Sequence, residues 1–331
     1  TSVKGLTLDV NKGQLNNQGG LIRGSTLALN NLVDVGNQSG EISSAEAFTF
    51  AANSLDNTGG KLLSDQGLTL RLDQALTNVK GLVSANGLDV RAFSVNNSTG
   101  TLTSDASLSL NLDGALANDL GEVSSASATQ VQAASLDNSG GKVTGNTALN
   151  VDVRGALNNR QGVLGSGQTA SIKAASLDNR DTGKVLSDGS LTTRIAGLLD
   201  NQNNGLLSAK SAMDVQAGSL DNRGGSLSGK DLLTLNTASL DNRGGKVSAD
   251  KDMQLNVGQL DNQAKGLISG QAAIHYLGTT LRNQDGLLSG VGPVRIDATT
   301  VENASGRISS QGDLTANVTH FNQQKGELVA Q

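Results

Sequence analysis

Apolar and polar side chains alternate along this chain in short runs, and the runs return about every 20 residues from one end to the other. Each unit carries an aliphatic residue followed two places later by Gly, Ala or Ser, as in Ile22 and Gly24, Ile42 and Ser44, Val83 and Ala85, or Val247 and Ala249. A second alternating run follows in most units: Phe48-Thr49-Phe50, Leu68-Thr69-Leu70, Leu108-Ser109-Leu110, Leu233-Thr234-Leu235 and Ile274-His275-Tyr276. The unit then closes on one more aliphatic, such as Val35, Leu136, Leu199 or Val301. A spacing of two marks extended chain with one face turned inward, and no helical period is present. The pattern predicts two or three short strands per unit, joined by tight turns.

The punctuation between runs is as regular as the runs. Aligning one asparagine per unit gives Asn17, Asn37, Asn57, Asn78, Asn97, Asn118, Asn138, Asn159, Asn179, Asn201, Asn222, Asn242, Asn262, Asn283, Asn303 and Asn322, sixteen residues spaced 19 to 22 apart. The closing aliphatic lies two before each of them, and His320 alone breaks that rule. A glycine follows by three residues in twelve units and by four at Gly183, Gly205, Gly266 and Gly326. Units of this length are too short for a strand–helix–strand repeat, so stacking them gives a parallel β-solenoid. At a strand spacing of about 4.8 Å, sixteen coils would form a monomeric rod on the order of 70 Å long. Asparagine tolerates left-handed backbone, and amides recurring at one corner can bond each other up the stack. The glycine is expected to supply the positive φ of the corner.

Composition narrows this further. The repeat is unbroken, so residues 1–331 read as one continuous domain cut from a longer chain. An apolar fraction of 36% with 2% aromatics is thin for a round core but adequate for a narrow one whose coils cover each other. There are 42 glycines without a three-residue period and a single proline, Pro293, which excludes collagen. The net charge is −5 with cations scattered, so no basic stripe and no stacking aromatics point to nucleic acid. No apolar run approaches the roughly 18 residues of a membrane span, so membrane insertion is not expected. With no cysteine, disulfides and thiolate metal sites are excluded.

The Leu-Asp-Asn-x-Gly-Gly-x-Leu/Val form at Leu55, Leu136, Leu220 and Leu240, completed by Ser in the last two, resembles the repeats of filamentous haemagglutinin-like exoproteins of Gram-negative bacteria. That group includes two-partner-secreted adhesins and the stalks of contact-dependent growth inhibition effectors. The resemblance runs through essentially the whole chain. It implies a right-handed parallel β-helix of about sixteen coils, export through an outer-membrane two-partner secretion transporter, and display at the cell surface as a stalk. An adhesin surface that binds a receptor or glycan is the alternative, and a β-helical polysaccharide lyase or hydrolase is a more distant one. Val301-Glu302-Asn303-Ala304 resembles the four-residue motif that precedes toxin modules in the growth-inhibition group, but it departs at its last position and keeps register with the repeat.

The chemistry on offer is modest. Asp56, Asp137, Asp178, Asp200, Asp221, Asp241 and Asp261 all precede a ladder asparagine, in a column interrupted by Thr77, Asn96, Ala117, Asn158 and Arg282. A solvated turn face with arginines nearby, such as Arg223 and Arg243, accounts for them better than a calcium site does. His275 and His320 are the only histidines, a poor start for zinc. Ser64, Ser125 and Ser187 read as small inward residues, since no strand-to-helix elbow surrounds them. Units of nearly constant length leave no long loops to build a catalytic groove. No catalytic residue, metal or cofactor is expected. The sequons at Asn37, Asn97 and Asn303 coincide with ladder positions that should point inward; another is at Asn317. Should the segment itself bind a receptor, the least regular coil, Gln271 to Ile296, is the surface chosen, with His275, Tyr276, Arg282 and Arg295 as contacts.

Overall fold

The computed structural model describes residues 4–331, which form strands and tight turns throughout. They make an all-β parallel solenoid of about sixteen turns, each of about 20 residues. The described residues fall into two compact units that share one coil plan. One runs to Asn158 and takes in Gly162–Gly167, and the other comprises Asn159–Gln161 and Gln168–Gln331.

In the first unit most coils have three strands. Lys61–Ser64 turns Leu62 and Ser64 inward, Leu68–Leu72 turns Leu68, Leu70 and Leu72 inward, and Ala75–Thr77 turns Leu76 inward. Each pairs in parallel with the equivalent strand of its neighbours. Leu62 lies between Ile42 and Val83, and Leu76 between Leu55 and Val95. The alternation seen in sequence thus becomes columns of like side chains. Ile42, Leu62, Val83, Leu102, Val123, Val143 and Leu164 form one such column and are all fully buried. Each buried aliphatic contributes roughly 1.5–3 kcal/mol before chain entropy is subtracted.

The second unit keeps the short first strand, as in Lys246–Ala249, but in most of its coils fuses the other two. Met213–Asp221, Leu233–Asp241 and Met253–Asp261 each run through the corner as one bent strand in unbroken register. Coil length varies at the corners between strands. Leu191–Asp200 pairs with Met213–Asp221 across an irregularity in which Ala196 and Gly197 stand opposite Gly218 alone. Others enter between Leu72 and Ala75, where Asp73 and Gln74 replace Asn53 alone, between Ser104 and Leu108, and at the asparagine corner, described next.

Candidate functional site

The asparagine corner is the densest polar arrangement in the coil. In the first unit every ladder asparagine from Asn37 to Asn138 is fully buried, and Asn17 nearly so. From Asn17 to Asn118 each side-chain amide donates to the amide oxygen of the next: Asn37 Nδ2 to Asn57 Oδ1 and Asn57 Nδ2 to Asn78 Oδ1, both at 2.7 Å. The second proton is also used, for Asn57 Nδ2 lies 3.2 Å from both Gly60 O and Leu82 O. The second unit repeats this from Asn159 to Asn303, with amide–amide distances of 2.7–2.8 Å. Buried amides need such partners, because each unmade bond costs roughly 1–3 kcal/mol.

The glycine three residues on plays a different part from the one expected. Its φ is not positive. The left-handed residue is the one before it: Ser39 (φ 54°), Gly59 (61°), Lys80 (54°), Thr99 (56°), Leu120 (51°) and Gly244 (63°). In the longer corners two residues in a row are left-handed, namely Asp181 and Thr182, Asn203 and Asn204, and Ala264 and Lys265. What demands glycine is space. A Cβ on Gly60 would lie 2.0 Å from Asn37 O and 2.7 Å from Asn57 Oδ1, inside the amide column itself. The repeat contained the signal: the earlier place accepts Ser, Lys, Thr or Leu, whereas the later one is always Gly.

The last ladder member is also corrected. Asn322 is exposed and pairs in register with Glu302, the residue before a ladder position, and Phe321 with Val301. Asn303 Nδ2 donates to Gln323 Oε1 at 2.9 Å, and the left-handed residue follows at Lys325. Gln323 therefore holds the ladder place, Phe321 the apolar place two before it, and His320 faces out as an exposed residue. A search for asparagine alone slips this coil by one residue, because glutamine carries the same amide on a longer stem.

The aspartates before the ladder act on the backbone. Asp56 Oδ1 accepts the Thr58 N–H at 3.0 Å, and Asp241 Oδ1 the Arg243 N–H at 3.2 Å. Asn16 and Asn96 do the same through their own Oδ1. Arginines two residues on pair with these carboxylates and reach the next coil as well. Arg180 lies between Asp178 (2.7 Å) and Asp200 (3.3 Å), and Arg223 between Asp221 (2.7 Å) and Asp241 (3.5 Å). Burial pushes the Asp241 carboxyl up, but the Arg243 guanidinium and N–H outweigh it, leaving a net lowering. Asp200 has Gln202 where Asp178, Asp221 and Asp241 have arginine, and there burial prevails and the carboxyl is raised.

Of the four residues chosen as a recognition surface, one is withdrawn from solvent and another stands on a separate strand. Tyr276 is fully buried between Leu255 and Ile296, with its hydroxyl donating to Thr280 O at 2.8 Å. The alternation of Ile274-His275-Tyr276 already implied this, since it turns the tyrosine to the same side as the isoleucine. His275 and Arg295 do face outward, and both engage Asp297, at 2.7 Å from His275 Nε2 and 2.6 Å from Arg295 Nε. Bonds from Arg295, Asn317 and His275 hold the Asp297 carboxyl well below the usual carboxylate range. Arg282 stands on a different strand, Thr280–Arg282, in the column between Asp261 and Glu302.

The remaining candidates are structural. Ser64, Ser125 and Ser187 are buried; Ser187 Oγ donates to Gln168 O and Ser190 O, both at 2.8 Å. Asn37, Asn97 and Asn303 are buried in the ladder despite their sequons, whereas Asn317 is exposed and donates to Asp297. A concavity of about 330 Å³ lined by Arg71, Asp73, Arg91, Phe93 and Asp113 is shallow and open to solvent. Among the described residues no group of three or more His, Asp or Glu side chains is arranged to hold a metal ion.

A parallel solenoid whose densest polar network is internal, and runs from coil to coil, defines a repeat scaffold. The chain belongs to the haemagglutinin repeat family: overlapping matches at residues 1–111, 107–161, 143–203, 186–256, 232–318 and 278–331 together take in its whole length. No curated protein and no solved structure matches the chain. The family is typically non-catalytic, and it points to the structural repeat region of a secreted, filamentous haemagglutinin-like bacterial exoprotein.

Proposed function

We propose that this chain is a stalk segment of such an exoprotein, holding adhesive or toxin modules away from the surface of a Gram-negative cell. On this reading it is a single continuous domain within a longer polypeptide. Its export partner is an outer-membrane transporter of the two-partner type, and it needs no cofactor. The observation that carries the proposal is the amide column. In coil after coil the most buried polar groups bond the neighbouring coil at 2.7–2.8 Å rather than lining a cleft. Parallel backbone ladders and stacked aliphatics add to that cohesion, which is what a load-carrying spacer requires.

The test is an in-phase deletion. Removing residues 242–261 takes out one coil from one ladder asparagine to the next. In the parent exoprotein the stalk reading expects normal export, retained activity of the terminal module and a shorter reach. The purified 331-residue chain should bind neither a glycan array nor target cells. Saturable binding by that chain alone would replace the stalk with an adhesin, and lyase or hydrolase turnover would replace both.

A further inference from the structure

Two Asn–Gly pairs occur in this chain, Asn86-Gly87 and Asn204-Gly205. In such a pair the glycine nitrogen can attack the asparagine side-chain carbon, because no Cβ shields it. We propose that Asn86 is a site of spontaneous deamidation and isoaspartate formation, while Asn204, its chemical equal, is protected by the fold. The step balances with water alone. A bond forms between Gly87 N and Asn86 Cγ, the Cγ–Nδ2 bond breaks, and the side-chain nitrogen leaves as ammonia with the proton of the attacking N–H. Water then opens the five-membered imide at either carbonyl, giving aspartate or isoaspartate.

Ring closure swings the glycine nitrogen towards the asparagine side chain and carries the glycine with it, so the surroundings of the glycine decide the rate. Gly87 sits in open space, with no heavy atom within 4 Å of where its Cβ would be. Its N–H is held only by Ser104 Oγ at 3.0 Å, a hydroxyl that also serves Ser107 O. Asn86 itself is exposed. Gly205 is buried, and a Cβ there would lie 2.5 Å from Asn179 O and 2.6 Å from Asn201 Oδ1. Its N–H bonds Gln202 O at 3.1 Å within the turn, and its carbonyl accepts Asn201 Nδ2 at 3.0 Å. The ladder asparagines are safer still, being buried with their amides bonded and followed by residues other than glycine. Isoaspartate at 86 would add a backbone carbon at the corner where Gly87 O accepts the Leu68 N–H at 2.8 Å. Ageing of the protein would thus be marked at one coil.

The experiment is peptide mass mapping with isoaspartate detection on the folded 331-residue chain, incubated at mildly alkaline pH. The peptide containing Asn86 should convert several-fold faster than the one containing Asn204, and the two rates should converge in denaturant. Asn86→Gln should abolish conversion at that corner and leave Asn204 unchanged. Ser104→Ala, which frees the Gly87 N–H, should accelerate it. Equal or faster conversion of Asn204 in the folded chain overturns the proposal, as does conversion of Asn86 no faster than that of the ladder asparagines.

Discussion

Asn303 Nδ2 donates to Oε1 of Gln323 at 2.9 Å, while the neighbouring Asn322 turns outward and gives its own amide to Glu302 at 2.8 Å. The ladder thus selects an amide at the right depth rather than a residue at the right count. The same geometry makes the ladder intolerant of an apolar replacement at mid-column. Asn222 accepts from Asn201 at 2.8 Å and donates to Asn242 at 2.7 Å. Asn222→Leu leaves a donor above and an acceptor below unpaired, at roughly 1–3 kcal/mol each. A loss of about 3 kcal/mol or more is expected in urea unfolding. Asn322→Ala should stay within about 0.5 kcal/mol of the parent, as surface changes do. Equal tolerance at the two positions would mean that the column is not the buried element described above.

Adjacent glycines in one corner should respond very differently to alanine. Gly60→Ala drives a Cβ into Asn37 O at 2.0 Å, so that coil cannot close without displacing the ladder. Gly59→Ala meets no heavy atom nearer than Ser39 Oγ at 3.6 Å and suffers only its left-handed φ of 61°, worth about 1–2 kcal/mol. Leu120 is the converse case, a 64% exposed leucine held at φ 51°. Leu120→Gly should relieve that strain, partly offset by about 0.5–1 kcal/mol of added chain entropy. Thermal melts of the three variants should rank Gly60→Ala far below Gly59→Ala, with Leu120→Gly at or above the parent.

Thr193 occupies a core column between Ile172 and Val215, fully buried, and its Oγ1 finds no hydrogen-bond partner. Thr129, in an equivalent core position between Leu108 and Leu149, instead bonds Ser125 Oγ at 2.8 Å and Thr144 O at 2.7 Å. Thr193→Val keeps the shape and removes an unsatisfied hydroxyl, so it should stabilise by about 1–3 kcal/mol. Thr129→Val should destabilise instead. Opposite signs in the two chemical denaturation midpoints are the expected result, and matching signs would refute the assignment.

Two aspartates should give pH dependence of opposite sense. Asp297 is lowered by bonds from Arg295, Asn317 and His275, so its contribution is full above the unfolded carboxylate value of about 3.9 and fades as pH falls towards its folded value. Asp200 is raised by burial, so the fold loses stability there as pH climbs through its folded value and the buried carboxyl ionises. Asp297→Asn should flatten the acid limb of a stability–pH profile. Gln202→Arg, which places at Asp200 the partner that Asp221 and Asp241 already have, should lower its carboxyl. NMR titration of the side-chain carbons reads both groups directly.

The sequence by itself determined the solenoid. Columns such as Leu62, Val83 and Leu102 follow from a period of two inside a period of about 20, since only stacking of equivalent strands can bury one aliphatic face per coil. The ladder was legible for the same reason: a buried amide recurring in register has its own copy as the nearest partner. Tyr276 was legible too, for the alternation through Ile274 turns it inward. Three things needed the tertiary structure. That the corner glycine answers to the bulk of the amides two strands share, and not to its own φ, depends on atoms one coil away. That Gln323 replaces Asn322 depends on how far a side chain reaches from a backbone register set by Val301 and Phe321. That Asn86 and Asn204 differ, though each precedes a glycine, depends on open space beside Gly87 and crowding at Gly205. Periodicity records which residues repeat; packing decides what each repetition is for.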